Sequence, residues 1–230
     1  MKSTVKLTSE ERRTAIIKAV RRVFAEKGFH GTTTRALAAA AGVSEALLFK
    51  HFPNKEALFS AMQLSCCNGQ DHARIERLQN LEPSASTLVL MVHFIVSRSV
   101  GGCGLPDEEQ AIQNRLMLRS FAEDGEFARS MVQRLATCWI PKVAECVKAA
   151  VAAGDAYKLP GKAELRGWFA SHLTAMIMFN LLPETPVIEY GVSRDKLIEH
   201  ATGFILRGMG LREEALQRHY NPQALALFER

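Results

Sequence analysis

Three charged side chains in one short segment of this chain are suited to the edges and phosphates of duplex DNA. Arg35, Glu45 and Lys55 follow one another within residues 32–55. A guanidinium donates two parallel hydrogen bonds to a guanine edge, and a carboxylate accepts one from a cytosine amino group. An ammonium beside a helix N-terminus attracts phosphate. These residue types predict that Arg35 and Glu45 face bases and that Lys55 holds a phosphate.

The sequence around these residues predicts two short helices joined by a tight turn. Thr33 and Ser44 are good N-caps for the first and the second helix. Gly42, between them, suits a turn position with positive φ. Pro53 ends the second helix, and Asn54 is predicted to cap a third. A helix-turn-helix of this form places its second helix in the major groove.

The second predicted helix has an inner and an outer side. Leu48 and Phe52, four residues apart, anchor it to a core. The side chains predicted to face base edges are Arg35, Glu45, Ala46, Leu47 and Lys50. The side chains predicted to hold phosphates and set the register are Thr33, Thr34, Ser44, His51 and Lys55. Phe49 also projects outward.

The net charge of the chain is concentrated at its N-terminus. Residues 1–60 contain 11 Lys+Arg against 5 Asp+Glu, whereas the remaining residues contain 18 against 19. A solvated basic helix would give the same count, but a polyanionic partner also favours this distribution. Together with the helix-turn-helix, the charge favours double-stranded DNA.

Residues from about 14 to 62 resemble the N-terminal domain of TetR-family (tetracycline-repressor-like) transcriptional regulators. The matching stretches are residues 24–29, 32–33, 37–38, 41–44, 48–49 and 51–58. Two positions depart from the common pattern. Phe49 stands where tyrosine is frequent, so that a hydroxyl contact to phosphate is absent. Leu47 stands where a small or polar residue is common, which makes base reading there apolar, against a thymine methyl.

The resemblance implies an all-α protein with a three-helix head and a helical body that binds an effector and forms a dimer. We expect a helix-turn-helix domain over 1–60, a ligand-binding and dimerisation domain over 61–211, and a C-terminal tail over 212–230. The implied function is that of a repressor. Its homodimer binds a palindromic operator with half-sites about 34 Å apart and is released by a small apolar or aromatic effector. The sequence leaves activation open.

Hydrophobic periodicity predicts helices in almost every part of the chain. The first is capped by Thr8 and Glu11 in capping-box spacing and ends at Gly28. Further helices are predicted from Asn54, over 87–99, 107–121, 125–153 with an interruption at Pro141, 162–182 and 194–209. The segment 87–99 is apolar on nearly every side, which predicts a helix surrounded by others. The tail from residue 211 is expected to be loosely held.

Large apolar and aromatic side chains recur in the predicted body helices. Helical proteins bind ligands between helices, in sites that are mostly apolar with few polar groups. The candidate ligand-binding residues are Phe94, Phe121, Met131, Trp139, Trp168, His172 and Met176. His172 is the candidate for orienting an effector. The alternative is that these side chains form ordinary core and that His172 is a buried histidine bonded to a carbonyl.

The last strong helix carries a candidate dimer interface. Its apolar positions on one face are Leu197, Ala201, Phe204, Ile205, Gly208 and Met209. Small residues there permit close approach of a partner helix. The alternative is that this face packs against its own subunit.

Other classes of function find little support in the sequence. We find neither a nucleophile motif nor a phosphate loop nor metal-ligand spacing, so that no enzyme, cofactor or metal site is predicted. Cys138 and Cys146 with His172 form a weak redox or metal alternative to buried, apolar cysteines. A body that answers to a protein partner, or to no effector, stays open.

The start of the chain and its cysteines favour a cytoplasmic protein. The first ten residues lack an apolar segment of signal-peptide length. The longest apolar run, 88–96, is about half of what a membrane helix needs. Five cysteines without a CxxC pair argue against a disulfide framework.

Overall fold

The computed structural model describes residues 7–67, 72–101 and 107–228, and the regular structure in these ranges is helical, which confirms the all-α fold class. The helices are α1 (Ser9–Lys27), α2 (Thr34–Ala40), α3 (Glu45–His51), α4 (Lys55–Cys67), α5 (His72–Asn80), α6 (Ala85–Gly101), α7 (Asp107–Ala122), α8 (Glu126–Arg134), α9 (Ile140–Ala152), α10 (Ala163–Asn180), α11 (Arg194–Gly208), α12 (Glu213–His219) and α13 (Pro222–Phe228).

The chain divides into two compact units. The head unit comprises residues 1–70 together with 111–131, and the body unit comprises 71–110 together with 132–230. The inclusion of 111–131 in the head follows from packing between segments that are distant in sequence. The domain boundaries at residues 60 and 211 remain a prediction.

Helix α1 has the two ends that its sequence predicts. The Thr8 hydroxyl accepts a hydrogen bond from the Glu11 amide at 3.2 Å, and Glu11 Oε2 accepts from the Thr8 amide at 2.8 Å. These hydrogen bonds favour the ionised carboxylate and lower the pKa of Glu11. At the other end Gly28 adopts a φ of 69° and donates its amide to the carbonyl of Phe24.

The head unit has its own hydrophobic core. Phe24, Leu37, Leu48 and Phe52 are each at most 2% exposed, and the rings of Phe24 and Phe59 meet edge to face at 4.9 Å. Burial of side chains of this size contributes roughly 1.5–3 kcal/mol each. Helices α1 to α4 therefore form a packed domain that can hold surface residues in place.

Helices α7 and α8 complete the head core. Leu116 and Phe127 are 4% and 2% exposed within it. Arg119 adds a polar contact, because its Nη1 donates to the carbonyl oxygen of Glu26 at 2.8 Å, at the C-terminal end of α1. Its Nε donates to Glu123 at 2.7 Å. The guanidinium thus satisfies a helix-end carbonyl that has no partner within α1.

The body unit is built around α6. Helices α5, α9, α10, α11 and α12 all pack against it, and Leu88, Val89, Met91 and Val92 are at most 1% exposed. Side chains on every side of the helix are buried, as the continuous apolar run predicts. The prediction of a surrounded helix is confirmed.

The predicted interruption at Pro141 takes the form of a wider helical turn. Residues Leu135–Trp139 form a π-helical turn between α8 and α9, and Pro141 lies in the first turn of α9. Proline lacks an amide hydrogen and its ring clashes with the carbonyl four residues earlier. Placing it at the start of a helix that follows a π-turn accommodates both defects.

The prediction of a loosely held tail is wrong. Helices α12 and α13 bury Ala215, Leu216 and Leu225 in the body core, each at most 8% exposed. Arg218 also donates to Asp155 Oδ1 at 3.0 Å. The apolar residues of the tail are too widely spaced for a clear amphipathic pattern, but the core supplies the partners that they need.

The predicted dimer face on α11 is corrected in part. Ala201, Ile205 and Met209 are at most 7% exposed and pack in the core of their own body unit. Phe204, by contrast, is 68% exposed. These three residues therefore pack against their own subunit, as the alternative predicts, because α11 packs directly on α6.

A second exposed apolar surface lies on α10. Leu165, Phe169 and Met176 are 47%, 64% and 58% exposed, and with the exposed His172 they follow one helix face at spacings of three and four. We refer to Leu165, Phe169, His172 and Met176 as the α10 stripe.

The described part of the chain contains neither a helix suited to span a membrane nor a cluster of metal ligands. None of its helices combines the length and apolar composition required to cross a membrane. No cluster of three or more His, Cys, Asp or Glu side chains there could hold a metal ion.

We expect Gly28→Ala to destabilise the protein more than Gly42→Ala. Both positions have positive φ, 69° and 63°, a region that glycine adopts readily and that disfavours L side chains. Only at Gly28 would the new methyl group meet other side chains, namely Arg119 and the Glu123 carboxylate bonded to it. Urea unfolding followed by circular dichroism would measure both free energies.

Arg119→Ala provides the control for this comparison. In that background the extra cost of Gly28→Ala over Gly42→Ala should shrink, since the crowding guanidinium is gone. Equal destabilisation by the two glycine substitutions in the wild-type background would contradict the role of Arg119.

Candidate nucleic-acid interface

The turn between α2 and α3 has the local geometry that the sequence predicts. Thr33 Oγ1 accepts from the amide of Ala36, and Ser44 Oγ accepts from the amide of Leu47, both at 3.2 Å. Gly42 has a φ of 63°. The predicted N-caps and the predicted turn glycine are confirmed. Asn54 also caps α4, because its Oδ1 accepts from the Ala57 amide at 2.7 Å.

Helix α3 is held to the head by its inner face. Leu48 is 2% exposed and Phe52, which follows the last turn, is 1% exposed. Val43, half-buried in the turn, packs against the same core. A helix of seven residues is unstable alone in water, so these contacts fix its orientation.

The outer side of α3 carries the residues predicted to meet DNA. Glu45, Ala46, Phe49 and Lys50 are exposed, whereas Leu47 and His51 are half-buried. The other predicted contacts lie on neighbouring elements: Thr33, Thr34 and Arg35 at the start of α2, Ser44 before α3, and Lys55 at the start of α4. Arg35 is exposed and available for a ligand.

A side-chain hydrogen bond joins α2 to α3. Thr34 Oγ1 donates to Glu45 Oε2 at 2.8 Å. The sequence predicts separate roles for these two residues, a phosphate contact for Thr34 and a base contact for Glu45. The structure brings their side chains together on the exposed side of the head.

Lys55 is tied to the head itself. Its Nζ donates to the carbonyl oxygens of Phe29 at 2.9 Å and Thr32 at 3.1 Å, and it lies 4.2 Å from the centroid of the Phe29 ring. An ammonium has three protons, so one proton remains for a phosphate. Lys55 therefore fastens α4 to the segment before α2, a role that the sequence does not reveal.

Arg13 supports α3 from behind and is absent from the predicted set. Its Nη1 donates to the carbonyl oxygen of His51 at 2.7 Å, and its guanidinium lies 4.3 Å from the centroid of the Phe52 ring. A cation at a helix C-terminus satisfies an unpaired carbonyl and the helix dipole. Arg13 precedes the buried Ile17 by four residues. An arginine on the core-facing side of α1 is the signal that could have revealed it.

The predicted ligand-binding residues fall into separate groups. Phe121, which is 58% exposed, and Met131, which packs against the head core, belong to the head unit. In the body unit, the rings of Phe94 and Trp139 are both 5% exposed and lie 5.9 Å apart. Trp168 stacks on His172 at 6.2 Å.

His172 and Met176 are exposed to solvent, whereas the sequence predicts that they line an apolar ligand site or form core. Both belong to the α10 stripe, so that His172 is not a buried histidine bonded to a carbonyl. A surface pocket of about 450 Å³ lies between the end of α10 and the start of α11, and none of the predicted ligand-binding residues lines it. The ligand-binding set stays a prediction.

The structure argues against a redox or metal site formed by Cys138 and Cys146. Cys138 is exposed in the π-helical turn, whereas Cys146 is buried in the body core. Burial raises the pKa of the Cys146 thiol, which disfavours the reactive thiolate. The π-turn separates the two residues that a regular helix would place on one side.

The N-terminal segment matches a known protein family. Residues 16–62 fit the model of bacterial regulatory proteins of the tetR family. The HTH-type transcriptional repressor AcnR of Corynebacterium efficiens is 46% identical over 50 residues, which are 22% of this chain and 27% of AcnR. The matches to the first curated relatives span about a quarter to a third of their length, and the match to Rv1474c of Mycobacterium tuberculosis spans 59%.

Solved structures resemble a larger part of the chain. AibR, crystallised with isovaleryl coenzyme A and operator DNA, has a TM-score of 0.63 at 18% identity, covering 84% of this chain and 97% of AibR. FadR from Bacillus subtilis, in complex with stearoyl-CoA, has a TM-score of 0.60 at 18% identity, covering 85% and 98%. These likenesses concern the fold. The sequence match to the tetR family of bacterial regulatory proteins is confined to residues 16–62.

Proposed function

We propose that this protein is a transcriptional regulator, most simply a cytoplasmic repressor, whose head inserts α3 into the major groove of DNA. The observation that carries the proposal is the anchored helix α3. Its inner residues are buried while Glu45, Ala46, Phe49 and Lys50 remain exposed. The excess of positive charge in residues 1–60 supports a polyanionic partner. AcnR, a transcriptional repressor, is 46% identical to this chain over 50 residues.

The proposed active form is a homodimer. A monomer offers one head, and a twofold axis would present two heads to inverted half-sites about one DNA turn apart. The α10 stripe supports this assembly, because exposed apolar patches mark interaction surfaces. Phe204, 68% exposed on helix α11, is a further exposed apolar side chain of the body unit.

The proposed effector is a small apolar or aromatic molecule that binds the body. AibR and FadR were solved with acyl-CoA molecules, which join an apolar acyl chain to a charged coenzyme A, so acyl-CoA compounds are tested beside apolar and aromatic molecules. The ligand must bind the DNA-incompetent state more tightly, since equal affinity for both states shifts nothing. Acyl-CoA compounds that raise the melting temperature of the protein should also weaken its operator binding.

Selection of bound duplexes from a random pool tests the DNA-binding function directly. We expect the purified protein to enrich an inverted repeat whose half-site centres are separated by roughly one helical turn. The enriched duplex should bind at least about a thousandfold more tightly than scrambled DNA at physiological salt. Enrichment of no sequence, from a protein shown to be folded by circular dichroism, would refute the function.

Lys55→Met is expected to weaken binding to all DNA sequences and to lower thermal stability. The lost phosphate contact should reduce the slope of log K against log salt by about 0.9. The lost bonds to Phe29 and Thr32 should cost about 1.5 kcal/mol or more in the free energy of unfolding. Fluorescence anisotropy over a salt series and thermal denaturation measure the two effects.

Lys27→Met is the matched control, because Lys27 is exposed at the end of α1. It removes the same charge with little effect on stability. A Lys55→Met protein of lowered stability but unchanged salt slope would confine Lys55 to its structural role.

Phe169→Glu is expected to convert the dimer into a monomer and to weaken operator binding. A carboxylate in an apolar interface must be desolvated without a partner, which is strongly unfavourable. Sedimentation analysis gives the mass, and anisotropy gives the affinity. Leu81→Glu is the control, since Leu81 is an exposed apolar residue outside α10 and α11. A Phe169→Glu protein that stays dimeric would exclude the α10 stripe from the interface.

A further inference from the structure

The hydrogen bond between Thr34 and Glu45 fixes a charged side chain on the exposed side of the head. Thr34 is the first residue of α2 and Glu45 the first residue of α3. The 2.8 Å bond from Thr34 Oγ1 to Glu45 Oε2 restrains the carboxylate. An exposed glutamate otherwise samples several rotamers, and holding one of them has an entropic cost. The bond from Thr34 offsets that cost before any ligand arrives.

The second carboxylate oxygen remains available. Glu45 is exposed, and within the described ranges Oε1 accepts no hydrogen bond. An ionised carboxylate only accepts hydrogen bonds. The pair therefore presents one oriented acceptor at the start of α3, the part of a recognition helix that meets base edges.

The four base pairs respond differently to such an acceptor. In the major groove cytosine presents its N4 amino donor, whereas guanine presents the acceptors N7 and O6. Thymine presents an acceptor and a methyl group, and adenine places the acceptor N7 beside its amino donor. A carboxylate is thus attracted by cytosine and repelled by guanine.

We propose that Thr34 and Glu45 form one specificity-determining pair. Glu45 accepts a hydrogen bond from the N4 amino group of one cytosine in each half-site. Thr34 is a positioning residue that orients the carboxylate and does not itself contact phosphate. This inference rests on the proposed function, because it requires α3 to lie in the major groove.

The test measures base preference position by position. The duplex enriched by selection is altered symmetrically to each of the four base pairs at every half-site position, and affinities are compared. For the wild-type protein we expect one position at which cytosine is preferred by about fivefold or more. Glu45→Ala should remove that preference and leave those at other positions unchanged. Glu45→Gln should move the preference to adenine, since an amide pairs with adenine N6 and N7.

Substitutions of Thr34 test the positioning role. Thr34→Val keeps the shape of the side chain and removes the hydroxyl, so it should reduce the preference at the same position. Thr34→Ser restores the hydroxyl and should restore the preference. An equal loss of affinity for every duplex with Thr34→Val would instead indicate a phosphate contact and would overturn this role.

Glu56→Gln controls for charge, because Glu56 is an exposed carboxylate in the first turn of α4. It should leave every base preference unchanged. If the wild-type protein selects an operator and Glu45→Ala keeps all its base preferences, the pair is refuted and the proposed function stands. If the wild-type protein selects no operator, both are refuted.

Discussion

The attachment of α3 to the head core is the constraint on which the proposed DNA interface depends. Seven residues cannot hold a helix in water, so Leu48 and Phe52, at most 2% exposed, supply the stability that the segment lacks. Ser44 caps one end, and Arg13 bonds the carbonyl oxygen of His51 at the other. The helix cannot rotate without breaking these contacts. Its outer residues therefore keep a defined orientation.

Contacts inside the head also account for part of the positive charge in residues 1–60. The sequence assigns the excess charge of residues 1–60 to a polyanion, but several of these cations have partners inside the head. Arg13 and Lys55 both donate to backbone carbonyl oxygens and lie over aromatic rings. Part of the charge thus stabilises the domain. The net charge of a segment therefore indicates which class of partner it binds, but it does not give the number of contacts with that partner.

Local chemistry could be predicted from the sequence, and long-range packing could not. The N-caps, the turn glycine and the break at Pro141 depend on residues a few positions apart, and all were predicted. The sequence predicts a dimer interface at Ala201, Ile205 and Met209, because an apolar helix face has the same pattern whether it meets its own core or another subunit. The Thr34–Glu45 and Arg13–His51 bonds join elements whose relative placement the sequence does not encode in any short pattern.

The contribution of Leu116 and Phe127 to the head core bears on biosynthesis. Ribosomes deliver the chain from the N-terminus, and domains usually fold as they emerge. Here the helices that carry the proposed DNA-binding residues emerge long before the two side chains that close their core. The nascent head therefore exposes part of its apolar interior until α8 has left the ribosome, and an N-terminal fragment made on its own would keep that surface exposed to solvent.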